Sequence, residues 1–440
     1  MCLSSRPRSM PTIQRLPLVH WAGLLLLTQT TIGAAQVVTT CENAASSNVA
    51  CIDRYGSVLP GAFSRGVLDQ YFSTTTEDVS FDDLKNASFL VFNQDLGLEL
   101  LGANPIVEQL FDIPISATDA PVYVPDTDEL WIGGLQTSVT SQFVVDLSQD
   151  PPVPKETTLS PPIYAANGMR YHDGRVWVSA AGGNDTLEGG PYHPGIYSFD
   201  PATGESRVEA NNYYGWYLNS ANDLDIDSQG RIWFTDPLYS RNMGVNVRAP
   251  QLQASVYRYD PTTGQIQIMD DTLVFPNGIA FSPDKSVLYA TDTSAGVGNI
   301  DTDIAWQDAG ALVYVSTGRR TLYAFDVGSD GALTNRRPLH TAVEYVPDGI
   351  KVASNGYVLT AAGHGVDIMD ANGMLLVRIQ LDFIAANLEF SGANRDTLWI
   401  VGHGKVARAQ INLTGPGTSS AGTTTRRHIQ GHMRHALHRT

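Results

Sequence analysis

The sequence has few cysteines and little basic charge. It contains 3 cysteines in 440 residues, and 28 Lys and Arg residues face 45 Asp and Glu residues, which gives a formal net charge of −17. No Cys/His cluster has the spacing of a zinc site, which disfavours zinc as the native metal. Phosphate neutralisation needs a basic surface, so the acidic balance argues against nucleic acid as a partner. The same balance is compatible with cation binding.

Long hydrophobic runs are also missing. Residues 21–27 form an apolar run that is too short to span a bilayer, and no other run suggests a membrane helix. This run follows the basic residues Arg6, Arg8 and Arg15 and precedes small residues at 33–35. Such an order is typical of a secretory signal peptide, so we predict that residues 1–35 are removed. The protein is then secreted and has no membrane partner; a buried N-terminal helix is the alternative.

The few cysteines and the sequons fit the same compartment. Cys2 would leave with the signal peptide, so Cys41 and Cys51 are predicted to form a disulfide in an N-terminal arm at residues 36–84. Two free thiols are the alternative. Three Asn-x-Ser/Thr triplets predict glycosylation, although such triplets also arise by chance. They begin at Asn86, Asn184 and Asn412.

An internal repeat occupies most of the chain. Each copy starts with Asn or Asp, continues as an alternating apolar strand and turns into a second strand that usually carries an aromatic residue 10 to 12 positions later. The copies start at Asp119, Asn167, Asn222, Asn277, Asp348 and Asn387. Further hairpins end in Asp-Pro-x-Thr-Gly at 200–204 and 260–264, which is a strong turn signal.

Six copies of a four-strand unit predict an all-β fold, a six-bladed β-propeller with a disulfide-tied N-terminal arm. The propeller is assigned to residues 85–414, and the Ser-, Thr-, Gly-, Arg- and His-rich residues 415–440 are predicted to be a disordered tail. Residues 88–92 are expected to close the ring by adding a strand to the last blade. The insertion at 293–317 is a candidate lid.

The repeated Asn and Asp residues are predicted to form a ring around the propeller axis. Two carboxylates and four amides give an all-oxygen site, which suits Ca²⁺ first and Mg²⁺ or Mn²⁺ after it. Any one of these residues is more often a turn residue, since Asn-Gly and Asp-Gly are common turn pairs. The same residue type at one position of six copies is hard to explain by turn chemistry alone.

Several motifs resemble those of one family. They are Ser-Ala-Asn-Asp-Leu-Asp at 220–225 with Ile-Trp-Phe-Thr-Asp-Pro-Leu-Tyr at 232–239, Pro-Asn-Gly-Ile-Ala-Phe-Ser-Pro-Asp at 276–284, and Pro-Asp-Gly-Ile at 347–350. In combination they resemble the gluconolactonase or SMP-30-like calcium-dependent lactonases, with a particular likeness to the secreted fungal lactonohydrolases. The resemblance covers about residues 85–412.

The resemblance implies one metal in the channel, usually Ca²⁺, with Mg²⁺, Mn²⁺ or Zn²⁺ as alternatives. Its metal ligands map to Asp119, Asn222, Asn277 and Asp348. The family usually has Glu at the position of Asp119, so this residue is a departure. The substrate implied is a small-molecule lactone, and the substrate-binding candidates are Asn167, Asn387, His364 and Tyr239.

The mechanism that follows has the metal polarise the lactone carbonyl while water attacks it. Asp348 is the candidate for both ligand and general base, with Asp223 and Asp119 as competitors, although ligation lowers a carboxylate's basicity. His403 is a second histidine that could reach the site; an ordinary satisfied or exposed loop histidine is the alternative for both His364 and His403. Trp216, Tyr217 and Tyr239 are candidate walls, with core aromatics as the alternative.

Other functions stay open at this point. The chain lacks a Gly-x-Ser-x-Gly elbow, which counts against a serine hydrolase. A propeller that binds a ligand or partner without turnover is one alternative. A secondary-metabolism enzyme acting on a related ester or anhydride is another. A condensing enzyme similar to strictosidine synthase is disfavoured, because its chemistry needs no set of Asn and Asp ligands. The oligomeric state is not predicted.

Overall fold

The structure is a computed structural model. It describes residues 36–42, 47–53, 57–67, 69–70, 73–113, 118–135, 141–183, 192–242, 245, 248–297 and 313–417. The predicted signal peptide, the sequon at Asn184 and the tail from 418 lie outside these residues. In the part of the chain that the structure describes, no helix is long and apolar enough to cross a bilayer.

The described residues form a β-propeller, with five four-stranded antiparallel sheets and one of seven strands. Sheet 1 contains Thr118–Val124, Glu129–Gly134, Ser141–Asp146 and Pro154–Thr158. Sheet 2 contains Ala166–His172, Arg175–Ala180, Gly195–Phe199 and Ser206–Ala210. Sheet 3 contains Leu224–Ile226, Ile232–Asp236, Ser255–Asp260 and Gln265–Asp270.

The remaining sheets continue the same order along the chain. Sheet 4 contains Pro276–Phe281, Val287–Asp292, Thr321–Val327 and Leu333–Thr341. Sheet 5 contains Pro347–Val352, Val358–Ala362, Gly365–Met369 and Leu375–Gln380, followed by Phe89–Val91, Val49–Ile52 and Val38–Thr40. Sheet 6 contains Asn387–Ser391, Thr397–Gly402, Lys405–Gln410 and Ile106–Asp112.

The smaller elements lie between and before the sheets. Two short hairpins pair Asn212–Tyr213 with Trp216–Tyr217 and Gly296–Val297 with Val313–Tyr314. The helices in the described residues are α1 (Gln94–Leu101), α2 (Tyr239–Asn242) and the 3₁₀ helix Val79–Lys85.

The predicted repeat coincides with the first two strands of each sheet. Its aromatic members lie on the second strands, where Trp233 and Trp399 are almost fully buried between neighbouring sheets. The first strand of every sheet contacts the first strand of the next, and that of sheet 6 contacts that of sheet 1. The inner strands therefore form a closed cycle, which places equivalent residues around one axis.

The predicted Asp-Pro-x-Thr-Gly turns are confirmed. In both, the Gly amide donates to the Asp carbonyl at 2.8 Å, and the Asp side chain accepts from the backbone two residues later. Gly204 and Gly264 have φ of 71° and 73°, a backbone conformation in which a Cβ would be strained. These turns join the third and fourth strands of sheets 2 and 3.

The predicted ring closure is wrong. Phe89–Val91 pairs with Leu375–Gln380 of sheet 5, and Ile106–Asp112 supplies the outer strand of sheet 6. Burial explains the exchange: Phe89–Val91 is apolar and fully buried, which requires neighbours on both sides. Ile106–Asp112 carries Glu, Gln and Asp and is largely exposed, which suits an outermost strand.

The predicted disulfide between Cys41 and Cys51 is present. It joins residues beside and within the hairpin of Val38–Thr40 and Val49–Ile52, whose second strand runs parallel to Phe89–Val91. This hairpin is therefore the edge of sheet 5. The sequon residues Asn86 and Asn412 are both exposed.

Candidate functional site

The inner strands open with irregular pairing at four of the predicted ring residues. The register shifts beside Asp119 and at Asn167, Asn277 and Asp348. A bulge redirects a side chain that regular pairing would keep in the plane of the ladder. Asn387 differs, because it pairs regularly with Val401.

Glycines after the ring residues let neighbouring inner strands approach closely. A Cβ on Gly278 would lie 2.4 Å from the carbonyl oxygen of Asp348, and one on Gly349 would lie 2.3 Å from Cγ of Asn387. Both distances are impossible for a side chain, so glycine is required where successive sheets meet. The Asn-Gly and Asp-Gly pairs thus serve ring packing as well as the bulge.

Hydroxyl groups on the second strands join three of the ring residues to the preceding sheet. Ser179 donates to the carbonyl of Asn222 at 2.5 Å, and Thr235 donates to that of Asn277 at 2.6 Å. Thr291 makes the same bond to the carbonyl of Asp348 at 3.1 Å. Each bond fixes the backbone of a ring residue in the next sheet, so the ring is held rigidly across sheets 2 to 5.

The ring opens into a cavity of about 630 Å³. Five of the six predicted ring residues line it: Asp119, Asn167, Asn222, Asn277 and Asp348. Of the other predicted residues, Tyr239, His364 and His403 also line it. The cavity has the size of an ordinary small-molecule site.

Two predicted site residues do not line the cavity. Asn387 lies behind Asp119 and donates from Nδ2 to Asp119 Oδ1 at 3.0 Å, so it positions the carboxylate. Asp223 accepts from the backbone amides of Leu224 and Ile279 at 2.8 and 3.3 Å. Its carboxylate is thus engaged away from the cavity.

The cavity carboxylates carry unfavourable electrostatics. Burial raises the pKa of Asp119 to about 7, and the charge of Asp223 adds to the effect. Burial and the negative charge of Asp119 raise the pKa of Asp348, although a hydrogen bond from Asn277 opposes the shift. No Lys or Arg is among the described residues that line the cavity. These acids therefore lack a cation from the protein at the cavity surface.

The donor set fits a hard cation. Two carboxylates and three amides lie around the cavity floor, and oxygen donors of this kind suit Ca²⁺. The described residues contain no group of three or more His, Cys, Asp or Glu side chains that could hold a metal, so amide oxygens are needed to complete a site. A bound cation would offset the burial and the carboxylate repulsion that together raise the pKa values of Asp119 and Asp348.

Tyr239 is held firmly in the cavity wall. Its hydroxyl hydrogen-bonds with Thr293 and with the side chain of Asn277. Burial raises the pKa of this phenol, so Tyr239 stays neutral at physiological pH. Trp216 and Tyr217 instead lie in a separate hairpin and do not line the cavity. In that hairpin Trp216 is exposed and Tyr217 stacks on His193. Their prediction as cavity walls is wrong.

The predicted lid is described only at its base. Gly296–Val297 pairs with Val313–Tyr314, and Gly296 and Tyr314 line the cavity. The middle of the insertion lies outside the described residues. The described part thus contributes to the cavity wall.

Comparison with known proteins gives consistent matches. The SMP-30/Gluconolactonase/LRE-like region matches residues 191–299 and 298–403. Lactonohydrolase oryH of Aspergillus oryzae is 45% identical, with 86% of this chain and 94% of the relative covered. Lactonohydrolase oryL of the same fungus is 46% identical, with 86% and 88% covered. The chain belongs to the SMP-30/gluconolactonase/LRE-like family.

A solved structure agrees with the family assignment. A gluconolactonase from Xanthomonas campestris aligns with a TM-score of 0.58 at 26% identity, covering 73% of this chain and 94% of that chain. The resemblance predicted from the motifs is therefore confirmed. This member of the family has Asp119 where the resemblance implied Glu.

A second set of charged side chains follows the cavity residues along the inner strands. Arg170, Asp225 and Lys351 each lie three positions after a ring residue. Arg170 Nε lies 3.6 Å from Asp225 Oδ1, and Lys351 Nζ lies 3.1 Å from Glu389 Oε2. Asp223 interacts electrostatically with Arg170 and Lys351. We call Arg170, Asp223, Asp225, Lys351 and Glu389 the charged layer.

One acidic residue of the cavity was not found from the sequence. Glu344 is almost fully buried, lines the cavity and accepts from His364 Nδ1 at 2.6 Å. Glu344 lies in the loop before Pro347–Val352, and no repeat marks it. The bridging hydroxyls could have been found, because Thr-Asp ends the second strands at 235–236 and 291–292.

Proposed function

We propose that this protein is a secreted, calcium-dependent hydrolase that opens the ring of a lactone. The observation that supports it is the cavity in which two carboxylates and three amides converge without a Lys or Arg among the described lining residues. The names of the fungal and bacterial relatives point to the same reaction.

The proposed cation ligands are Asp119, Asn222, Asn277 and Asp348. Among the bonds made by described residues, Asp119 accepts from Ala120 and Asn387 through Oδ1. This leaves Oδ2 for a cation, so Asn387 compensates for the shorter side chain by orienting it. The side chain of Asn277 lies close enough to Asp348 to oppose the rise in its pKa, so these two proposed ligands are neighbours.

Bound Ca²⁺ supplies Lewis-acid polarisation of the lactone carbonyl. Residues of the chain bind and orient the substrate. Asn167 lies on the same cavity floor and is proposed to bind a polar group of the substrate, as are Tyr239 and His364 in the walls. Asp348 is proposed as a catalytic residue through its contact with the cation. Asp223 is left out of the proposed catalytic set because its carboxylate is bound to backbone amides elsewhere.

We also propose the number of blades, the domain boundaries and the secretion of the protein. We count the first four strands of sheet 5 as a blade, which makes the propeller six-bladed. The closed cycle of inner strands supports this count. We also propose signal-peptide removal at residues 1–35, a propeller at 85–414 and a disordered tail at 415–440. The two exposed sequons, at Asn86 and Asn412, support glycosylation.

The test is hydrolysis of a lactone panel by the purified protein, before and after exchange into metal-free buffer. We expect turnover that is lost on chelation and restored by Ca²⁺. Asp348→Asn should lower kcat/KM by about a thousandfold or more, since it removes charge that holds the cation. It should also abolish the rise in Tm that Ca²⁺ gives the wild type.

Asp396→Asn is the matched control, because Asp396 is exposed on a turn of sheet 6 outside the cavity. It should keep both activity and the Ca²⁺ effect. Turnover that survives chelation would overturn the calcium requirement. Ca²⁺ binding without hydrolysis of any lactone, ester or anhydride would favour a non-catalytic propeller.

A further inference from the structure

His364 and Glu344 form a hydrogen-bonded pair in the cavity wall, and neither residue is among the proposed cation ligands. His364 lies in the turn between Val358–Ala362 and Gly365–Met369, and both residues line the cavity. Glu344 Oε1 accepts from His364 Nδ1 at 2.6 Å and from the His364 backbone amide at 3.0 Å. The imidazole is thus fixed at two points.

The carboxylate of Glu344 is held in its ionised form. Burial would raise the pKa of Glu344, but the hydrogen bond from His364 and the charge of Arg378 outweigh burial and lower it. Arg378 donates to Glu344 Oε2 at 2.6 Å and to Asp367 Oδ1 at 2.5 Å. His340 contacts the other oxygen of Asp367 at 3.1 Å. A chain of five ionisable groups therefore ends at one cavity histidine.

The local backbone is built around this contact. A Cβ on Gly363 would lie 2.6 Å from Cγ and Cδ of Glu344, so only glycine allows the acid to lie beneath the turn. Buried ionic networks give little net stability, and one that ends in a cleft is a candidate for function. An ionised carboxylate can only accept, so Nδ1 of His364 carries the proton and Nε2 carries the lone pair.

We propose that His364 is the general base of the reaction and that Glu344 is its positioning residue. This rests on the proposed lactone hydrolysis. Asp348 suits this role poorly, because a carboxylate that binds a cation is a weak base. His364 Nε2 takes a proton from water as the water oxygen bonds to the carbonyl carbon. The ring C–O bond then breaks, and the imidazolium returns that proton to the leaving alkoxide, which gives the hydroxy acid.

The test compares kcat, KM and the pH profile of kcat for wild type, His364→Gln and Glu344→Gln. His364→Gln should lower kcat by about 10²–10⁴-fold, far more than any rise in KM from a lost substrate contact, and should remove the acidic limb of the profile. Glu344→Gln should move that limb to lower pH. The other ionisable groups around His364 are Arg378 behind Glu344, His403 across the cavity, and the cavity acids Asp119 and Asp348.

Two further measurements separate catalysis from structure. Ca²⁺ binding and Tm of His364→Gln should match the wild type, and free imidazole should restore part of the activity of His364→Ala. His172→Gln is the matched control, because His172 lies at the end of Ala166–His172, outside both the network and the cavity lining. It should keep the wild-type kcat and pH profile.

The outcomes are distinct. An active His364→Gln, or an inactive one that keeps the acidic limb at its residual rate, would overturn the role of His364 while leaving the lactonase proposal intact. A wild type that hydrolyses no lactone would overturn the proposed function and this role with it.

Discussion

The charged layer follows the ring residues by one to three positions along the chain, yet the cavity ring and the charged layer balance charge in different ways. In the charged layer, Arg170 faces Asp225 and Lys351 faces Glu389. In the cavity ring, Asp119 and Asp348 have amides as neighbours and raised pKa values. The layer therefore has cations of the protein beside its acids, whereas no Lys or Arg is among the described residues that line the cavity, so the ring is suited to an external cation.

The pKa of Asp225 in the charged layer shows what a protein cation does. Burial raises its pKa, but the charges of Lys285 and Arg170 and two backbone hydrogen bonds outweigh burial and lower it. Asp119 is buried on a neighbouring inner strand, and its pKa moves the other way. Burial is common to both acids, and the nearby cations and hydrogen bonds outweigh it at Asp225 but not at Asp119. Asp223 lies between the two cases, because burial raises its pKa although the charges of Arg170 and Lys351 oppose the shift.

The largest expected loss of stability comes from removing a cation from the charged layer. Lys351→Met leaves Glu389 buried with one cation fewer, so the free energy of unfolding in EDTA should fall by about 3 kcal/mol. Urea unfolding of the two proteins measures it. Lys405→Met is the control, because its pair with Asp382 is exposed and contributes less than about 1 kcal/mol. Equal losses for both variants would contradict a difference between buried and surface pairs.

Much of this organisation could be predicted from the sequence. The repeat fixed by Asn or Asp and a later aromatic predicted the inner strands and five of the six cavity positions. Asn387 pairs regularly with Val401 and does not line the cavity. A following glycine marks Asn167, Asn277 and Asp348, but Ala120 follows Asp119 and Asp223 follows Asn222, so the next residue in the sequence does not separate Asn387 from the ring.

Other features could not be predicted, because they depend on contacts between loops. Glu344 and His364 belong to different loops and meet only when sheet 5 is formed. The sequence also did not predict which N-terminal strand joins which sheet. The sequence predicted a strand at residues 88–92 but none at 106–112, and burial in the folded ring explains why Phe89–Val91 is an inner strand and Ile106–Asp112 an outermost one. Repeats predict equivalent positions well, but they carry no information on unique contacts.

The second expected effect is a dependence of the free energy of unfolding on pH, caused by Asp119 in the cavity ring. The pKa of Asp119 is raised from an ordinary value of 3.8 to about 7 in the folded protein. Between these values the folded state binds more protons than the unfolded state, so its stability without metal falls as pH rises through this window. Asp119→Asn should therefore be more stable than wild type in EDTA at pH 8, by on the order of 2 kcal/mol, and equal to it at pH 4.

Calcium provides the control for the Asp119 experiment. With Ca²⁺ at pH 8, the wild type should regain stability through binding, and Asp119→Asn should gain less because it has lost a ligand charge. The two curves of unfolding free energy against pH would then approach or cross. A wild type that is more stable than Asp119→Asn at pH 8 in EDTA would show that the protein already balances this charge.

The smallest expected effect tests whether the sheets hold the ring in place. Thr235→Val keeps the shape of a fully buried side chain but removes the bond to the carbonyl of Asn277, which should lower the free energy of unfolding by about 1 to 2 kcal/mol. Because the ring is sensitive to small displacements, Ca²⁺ affinity should also fall a few-fold. Ser255→Ala is the control. Ser255 lies in the same sheet as Thr235 but does not line the cavity, and the substitution removes a buried hydroxyl that donates to the carbonyl of Gln253. It should lower stability similarly while leaving Ca²⁺ affinity unchanged, and isothermal titration of both variants distinguishes a positioning bond from an ordinary one.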